Sequence, residues 1–131
     1  MIYQIKGCDR ICLITDSIRA AGLTPEDAGV WGSVEAGTAA FVEDGVAKLL
    51  DRSAFSGSVA TTDRLVRNMV QLADVKLVDS VRMMTLNPAR VMGLSASKGI
   101  LAPEKDADIV IFNGNIDMSR VIIGGRTVHE A

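Results

Sequence analysis

At 131 residues and 13.9 kDa, the chain is one domain or a large piece of one, long enough to bury roughly two thirds of its extended-chain surface. Hydrophobic residues make up 48% and charged residues 23%, with mean hydropathy +0.26, which excludes the disordered, collagen-like and low-complexity classes. A net charge of −2 and no basic run interleaved with aromatics argue against nucleic acid. No apolar run nears the roughly 20 residues that span a bilayer, and residues 1–6 lack the pattern of a signal peptide. The expectation is a cytoplasmic protein with neither a nucleic-acid nor a membrane partner.

In chain order, residues 10–15 form a short apolar run that reads as a strand covered on both faces, the kind parallel sheets use. Cys12 lies inside it as a small buried hydrophobe, and Cys8 stands four residues away, outside the spacing of a Cys-x-x-Cys pair. Period-two geometry puts Asp16 at the C-terminal end of this strand, where parallel α/β folds gather ligands and catalytic groups. Residues 23–29 read as a loop. Residues 38–42 and 46–50 flank Asp44-Gly45, which predicts a hairpin. Phe55-Ser56-Gly57-Ser58 reads as a small-residue loop.

Thr61 or Thr62 caps a predicted helix whose Leu65, Val66, Met69, Val70 and Ala73 share one face. Leu77, Val78, Val81, Met84 and Leu86 place a second helix that ends before Asn87-Pro88. Asn87 is expected to cap a third, with Pro88 in its first position and Gly93 at its end. Met69, Met83, Met84 and Met92 read as core filling, and Arg64, Arg67, Arg82 and Arg90 as solvated residues or structural partners of Asp63 and Asp79 rather than phosphate ligands. Residues 108–112 are a β-branched run, and 120–123 meets 126–128 across Gly124-Gly125 as a second hairpin. The single histidine, His129, cannot anchor a multi-histidine metal site, and Asp106 and Asp108 read as turn-shaping.

Ile14-Thr15-Asp16-Ser17, Phe55-Ser56-Gly57-Ser58, Val66-Arg67-Asn68-Met69, Thr85-Leu86-Asn87-Pro88-Ala89-Arg90 and the stretch from Lys98 to Asp108 occur in an order that resembles the C-terminal end of N-acetylglucosamine-6-phosphate deacetylases, metal-dependent amidohydrolases. The resemblance implies an α/β chain that is the C-terminal piece of a (β/α)₈ amidohydrolase barrel, with its last barrel strand and final helices, plus strands of a small β-domain. It divides the chain into the last barrel strand and following turn (1–23), a loop and β-hairpin insertion (24–60), terminal helices (61–94) and strands of the β-domain (95–131).

By the same resemblance Asp16 is the catalytic residue, taking a proton from a metal-bound water and later giving it to the leaving amine. Phe55, Ser56 and Gly57 are candidate substrate contacts. The implied cofactor is a divalent metal, zinc first, with no ligand in this chain unless Asp16 serves. The implied substrate is N-acetylglucosamine 6-phosphate, and the implied partner is an N-terminal complement or a second copy, so the chain alone is expected to be inactive. Two alternatives stand beside this reading: a non-catalytic, self-associating domain, or the end of another amidohydrolase. Ser17-Ile18, Phe55-Ser56 and Glu104 depart from the family's usual residues. A glycine is usual at position 104, where a turn with positive φ would resist a side chain.

Overall fold

The computed structural model describes residues 1–22, 29–31 and 38–131, with side chains described for 1–22 and 41–131. The predicted loop at 23–29 lies outside the described residues except for Gly29, which opens a strand. The chain forms two compact units, residues 1–14 with 63–131, and residues 15–62.

The unit of residues 15–62 is built on a four-stranded antiparallel sheet in the order β1 (Gly29–Trp31), β2 (Thr38–Glu43), β3 (Val46–Leu49) and β4 (Phe55–Gly57). The Asp-Gly hairpin forms as its sequence predicts: Asp44 and Gly45 both take positive φ (54° and 72°), the two-residue turn that matches strand twist. Its mouth is tied by Lys48 to Glu43 (2.8 Å), and Arg52 both bonds Glu43 and stacks 4.9 Å from the Phe41 ring centroid. Ala20, Val42 and Ala47 are buried, and Ile18 and Val59 pack against Ala20 and Val42. The segment read as a loop from Phe55 is instead largely strand, because the turn at 50–54 folds it back on β3, pairing Phe55 with Lys48 and Gly57 with Ala47.

The other unit opens with α1 (Ile2–Lys6) and a single 3₁₀ turn (Cys8–Arg10). The Tyr3 hydroxyl donates to Asp79 (2.6 Å), a bond that raises the phenol pKa and holds Asp79 below the usual carboxylate range. Helices α2 (Thr62–Gln71), α3 (Leu77–Met84) and α4 (Leu86–Val91) follow, with Val66, Val75, Met83 and Ala89 buried. The predicted second helix breaks at Thr85 (φ −121°, ψ −72°), whose hydroxyl bonds back to Val81 O (2.8 Å), so Leu86 starts the next helix rather than ending the last. Asn87 does not cap. It is 4% exposed, one residue inside α4, and its Nδ2 donates to Cys8 O and Ile11 O at 2.6 Å each. Helix α4 closes on Gly93 as expected: Gly93 N–H bonds Arg90 O (3.1 Å) and Leu94 N–H bonds Ala89 O (2.7 Å), the six-to-one and five-to-two pair of a left-handed C-terminal cap.

A three-stranded antiparallel sheet completes this unit: β5 (Ile109–Phe112), β6 (Met118–Ile123) and β7 (Arg126–Glu130). Gly124 and Gly125 (φ 56° and 78°) make the predicted two-residue turn. The β5–β6 connection is held differently. Buried Ile116 sits at φ 65°, costly for a β-branched residue, while Asn113 Oδ1 accepts from the Asn115 and Asp117 amides and Arg67 donates to the Ile116 and Asn115 carbonyls (2.7 and 3.0 Å). Asp106 and Asp108 do shape a turn, through Lys98 and, from Asp108, the Gly124 amide. Arg67 pairs with Asp63 as expected, but Arg82 reaches Asp9 (2.6 Å) rather than Asp79, which the Tyr3 hydroxyl occupies. Met83 is fully buried, whereas Met92 is 70% exposed at the end of α4, where the turn at Gly93 carries the chain away.

The largest correction concerns residues 10–15. They form no ladder strand: Leu13 N–H bonds Met83 O (2.9 Å), Ile11 O accepts from Asn87, Ile14 is 72% exposed and Cys12 is exposed. A doubly covered parallel strand needs a neighbour on each side, and among the described residues only one parallel bridge, Ser17 to Ser58, lies beside this run.

Candidate functional site

The predicted site residues fall together in the unit of residues 15–62. Asp16 follows the extended run with φ 48°, a left-handed conformation that aspartate tolerates better than most side chains but that is still costly. Its carboxylate is exposed. The next two residues are fastened to the segment after β4. The Ser17 hydroxyl donates to Ala60 O, Ile18 N–H donates to Ser58 O (2.9 Å), and Ser17 N–H reaches Thr15 Oγ1 (3.4 Å). Ser58 Oγ in turn accepts from the Ala60 amide (3.1 Å).

Gly57 explains how these segments approach. Its φ is +150°, and a Cβ there would collide with Ile18 Cγ2, so only glycine permits both the backbone and the packing. Gly57 thus has a structural duty whether or not it meets a ligand. Ser56 is half-buried, while Phe55 is 75% exposed, a large apolar ring facing solvent on the strand that leads to the bridge. The structure therefore joins Asp16 to the Phe55–Gly57 strand through Ser17, Ile18 and Ser58. Ser17, Ser58 and Ala60 carry the junction and escape a reading of local pattern, since their bonds span 40 residues of sequence or more.

A divalent metal does not fit the described residues by themselves. No three His, Cys, Asp or Glu side chains converge among them, and His129 lies on β7, paired with Val121. Asp16 could contribute one oxygen. Cys8 is not a poised thiolate: partial burial and a bond to Asp79 push its thiol upward. Among the described residues no helix is long and apolar enough to cross a membrane.

Helices with two antiparallel sheets make this an α/β chain. Residues 10–128 match the model of the amidohydrolase family, and the chain belongs to that family. It is 35% identical over 126 residues to an N-acetylglucosamine-6-phosphate deacetylase of Lysinibacillus sphaericus, covering 96% of this chain and 31% of that one. It is 31% identical over 121 residues to a putative N-acetylgalactosamine-6-phosphate deacetylase of Escherichia coli K12, covering 90% of this chain and 67% of that one. The crystal structure of the Mycobacterium smegmatis N-acetyl-D-glucosamine-6-phosphate deacetylase superposes with a TM-score of 0.83 at 30% identity, over 98% of this chain and 33% of that one. A Pasteurella multocida deacetylase gives the same TM-score at 26% identity, over 95% and 31%. The chain spans about 31% of the length of the first relative it matches.

Proposed function

We propose that this chain supplies the proton-transfer aspartate of a metal-dependent deacetylase that hydrolyses N-acetylglucosamine 6-phosphate to glucosamine 6-phosphate and acetate. The observation that carries the reading is the amidohydrolase match over residues 10–128, which contains Asp16 on its fastened turn and the Phe55–Gly57 strand joined to it. Asp16 accepts a proton from the attacking water and returns it to the sugar nitrogen as the C–N bond breaks. An exposed carboxylate suits both steps: its ionised form accepts and its protonated form donates. Phe55, Ser56 and Gly57 form one wall against the sugar, the Phe55 ring giving apolar contact and the Ser56 hydroxyl and backbone giving hydrogen bonds. The remaining wall and the metal ligands come from residues other than those described for this chain. A divalent metal, zinc first, supplies the Lewis acidity when it is bound.

The test is a hybrid in which residues 10–128 replace the matched segment of the Lysinibacillus sphaericus relative. The expected result is acetate release from N-acetylglucosamine 6-phosphate by the zinc-loaded hybrid and none by the 131-residue chain under the same conditions. A folded hybrid that binds zinc and releases no acetate would refute the proposal. The galacto epimer belongs in the same assay, given the Escherichia coli relatives, and a preference for it would move the sugar assignment while keeping the chemistry.

A second reading, a self-associating domain without chemistry, is favoured by one feature. A groove of about 640 Å³ lies between the β5–β6 strands and α3–α4, and Met92, Leu94, Ile100, Leu101, Val110 and Ile123 along it are all at least 46% exposed. The β5 edge beside it is wholly apolar, whereas the β7 edge carries Arg126, His129 and Glu130. Light scattering at micromolar concentration decides: this reading expects dimers or larger species, and a monodisperse monomer removes it.

A further inference from the structure

Asn113 is the asparagine of this chain that precedes a glycine; Asn68, Asn87 and Asn115 stand before Met69, Pro88 and Ile116. With no Cβ on the following residue, the Gly114 backbone nitrogen can close on the Asn113 side-chain carbonyl carbon, Cγ, more readily than at the others. We propose that Asn113 is a self-modification site: the β5–β6 turn polarises its side-chain amide for attack by the Gly114 nitrogen, and the conversion that follows loosens the turn. The site owes nothing to the deacetylase reading.

Asn113 Oδ1 accepts the Asn115 and Asp117 amides at 2.9 and 3.0 Å, so two N–H dipoles converge on the oxygen where negative charge develops as Cγ becomes tetrahedral. The same two donors settle which end of the side chain is oxygen. Nδ2, the leaving nitrogen, donates to Asp117 Oδ2 (3.0 Å). Asn113 and Gly114 are both exposed, the Gly114 N–H has no partner among the described residues, and a Cβ built on Gly114 would meet nothing within 4 Å. The nucleophile is therefore neither tied up nor shielded. Water is the one co-reactant. The Gly114 N–Cγ bond forms, the Cγ–Nδ2 bond breaks, and the side-chain nitrogen leaves as ammonia with the Gly114 amide proton. Water then opens the succinimide, at Cγ to give aspartate or at the Asn113 main-chain carbonyl to give isoaspartate.

Both products disturb the turn. Aspartate replaces the donor to Asp117 by a second carboxylate, and isoaspartate adds a carbon to the main chain where Asn113 N–H bonds Asp117 O (3.1 Å) and Ile116 N–H bonds Asn113 O (3.0 Å). Ile116, held at φ 65° inside that frame, loses part of what keeps it there.

The 131-residue chain and a synthetic peptide of residues 111–117 are incubated side by side at neutral pH. Conversion at Asn113 is followed by peptide mapping with mass spectrometry, aspartate and isoaspartate being separated by chromatography, with Asn115 as internal control. Exposed donors act less strongly than the roughly 100-fold of a dry site, so the folded chain is expected to convert Asn113 about tenfold faster than the peptide. Gly114→Ala, which the turn accommodates because Gly114 takes no left-handed φ, should slow the conversion several-fold in both. A folded rate no faster than the peptide's would overturn the assistance by the turn, and an unaltered rate in Gly114→Ala would overturn Gly114 as the nucleophile. Asn113→Asp, which stands for one product, is expected to speed hydrogen exchange of the Ile116 amide about fivefold, the effect of one weakened hydrogen bond. Unchanged exchange there would overturn the loosening.

Discussion

Asn87 offers the sharpest test of how the run before Asp16 is held. Its side chain is 4% exposed, and its Nδ2 donates to two backbone carbonyls, Cys8 O and Ile11 O, at 2.6 Å each. Two acceptors facing one amide settle which end is nitrogen, since the flipped amide would press oxygen against both carbonyls. Oδ1 has no donor among the described residues, so the side chain works entirely as a donor. Asn87→Ala removes two hydrogen bonds of about 1–1.5 kcal/mol each and leaves the carbonyls short of a partner. The expected loss is about 2–3 kcal/mol, roughly 30- to 150-fold in the folding equilibrium. With an m-value of about 1–3 kcal/mol/M, the urea midpoint followed by circular dichroism should fall by about 1–2 M. Asn87→Asp sharpens the test, because it keeps the shape and replaces the donor by an acceptor. Its carboxyl should be pushed above the unfolded value near 4, so the destabilisation grows as pH rises through that value and eases below it. An Asn87→Ala change below about 0.5 kcal/mol, or an Asn87→Asp variant as stable at pH 7 as at pH 4, would refute this role.

Three further outcomes follow from particular residues. Gly57→Ala should destabilise the unit of residues 15–62 through strained φ and collision with Ile18, and Ile18→Ala on top of it should recover stability, a non-additive cycle read by urea denaturation; additive losses would contradict the contact. Glu104→Gly should raise the melting temperature by a few degrees, since Glu104 occupies φ 68° and the relief of about 1 kcal/mol exceeds the entropy gained by the unfolded chain; a fall would show the turn indifferent to the side chain. Lys98 sits between Asp106 and Asp108, its bonds to them raising its own pKa, while Lys98 and then the Gly124 amide lower that of Asp108. The Asp108 contribution is therefore present above about pH 3.8 and lost as acid protonates it, and the Lys98 contribution is present below about 10.5 and lost in base. Lys98→Met should flatten both limbs of the stability-versus-pH curve, and an unaltered curve would count against the cluster.

What the sequence disclosed and what it withheld divide along the range of the interaction. Asp44-Gly45 and Gly124-Gly125 were legible as hairpin turns, and Gly93 as a helix end, because positive φ at those positions is a local demand that few residues meet. The Lys98 cluster is half legible: Asp106 and Asp108 are recognisable in sequence as turn-formers, whereas their pairing with Lys98 is a contact of the folded chain. The apolar run at 10–15 misleads, since hydrophobicity alone does not distinguish a doubly covered strand from an extended segment tied at intervals by Met83 and Asn87. Asn87 before proline carries the local signature of a cap, yet its partners lie 76 and 79 residues away. Asp16 was identified by resemblance, and its left-handed backbone, its link to Ser58 and the hydroxyl of Ser17 against Ala60 belong to contacts that no window of sequence contains.

The central claim is that Asp16 moves the proton. The measurement that addresses it most directly is the turnover of N-acetylglucosamine 6-phosphate by the zinc-loaded hybrid carrying Asp16→Asn, beside the unsubstituted hybrid, with bound zinc quantified in both. The amide can neither accept the proton from water nor return it to nitrogen, so the account predicts a kcat lower by about 100-fold or more at equal zinc content. Equal kcat in the two hybrids would contradict it.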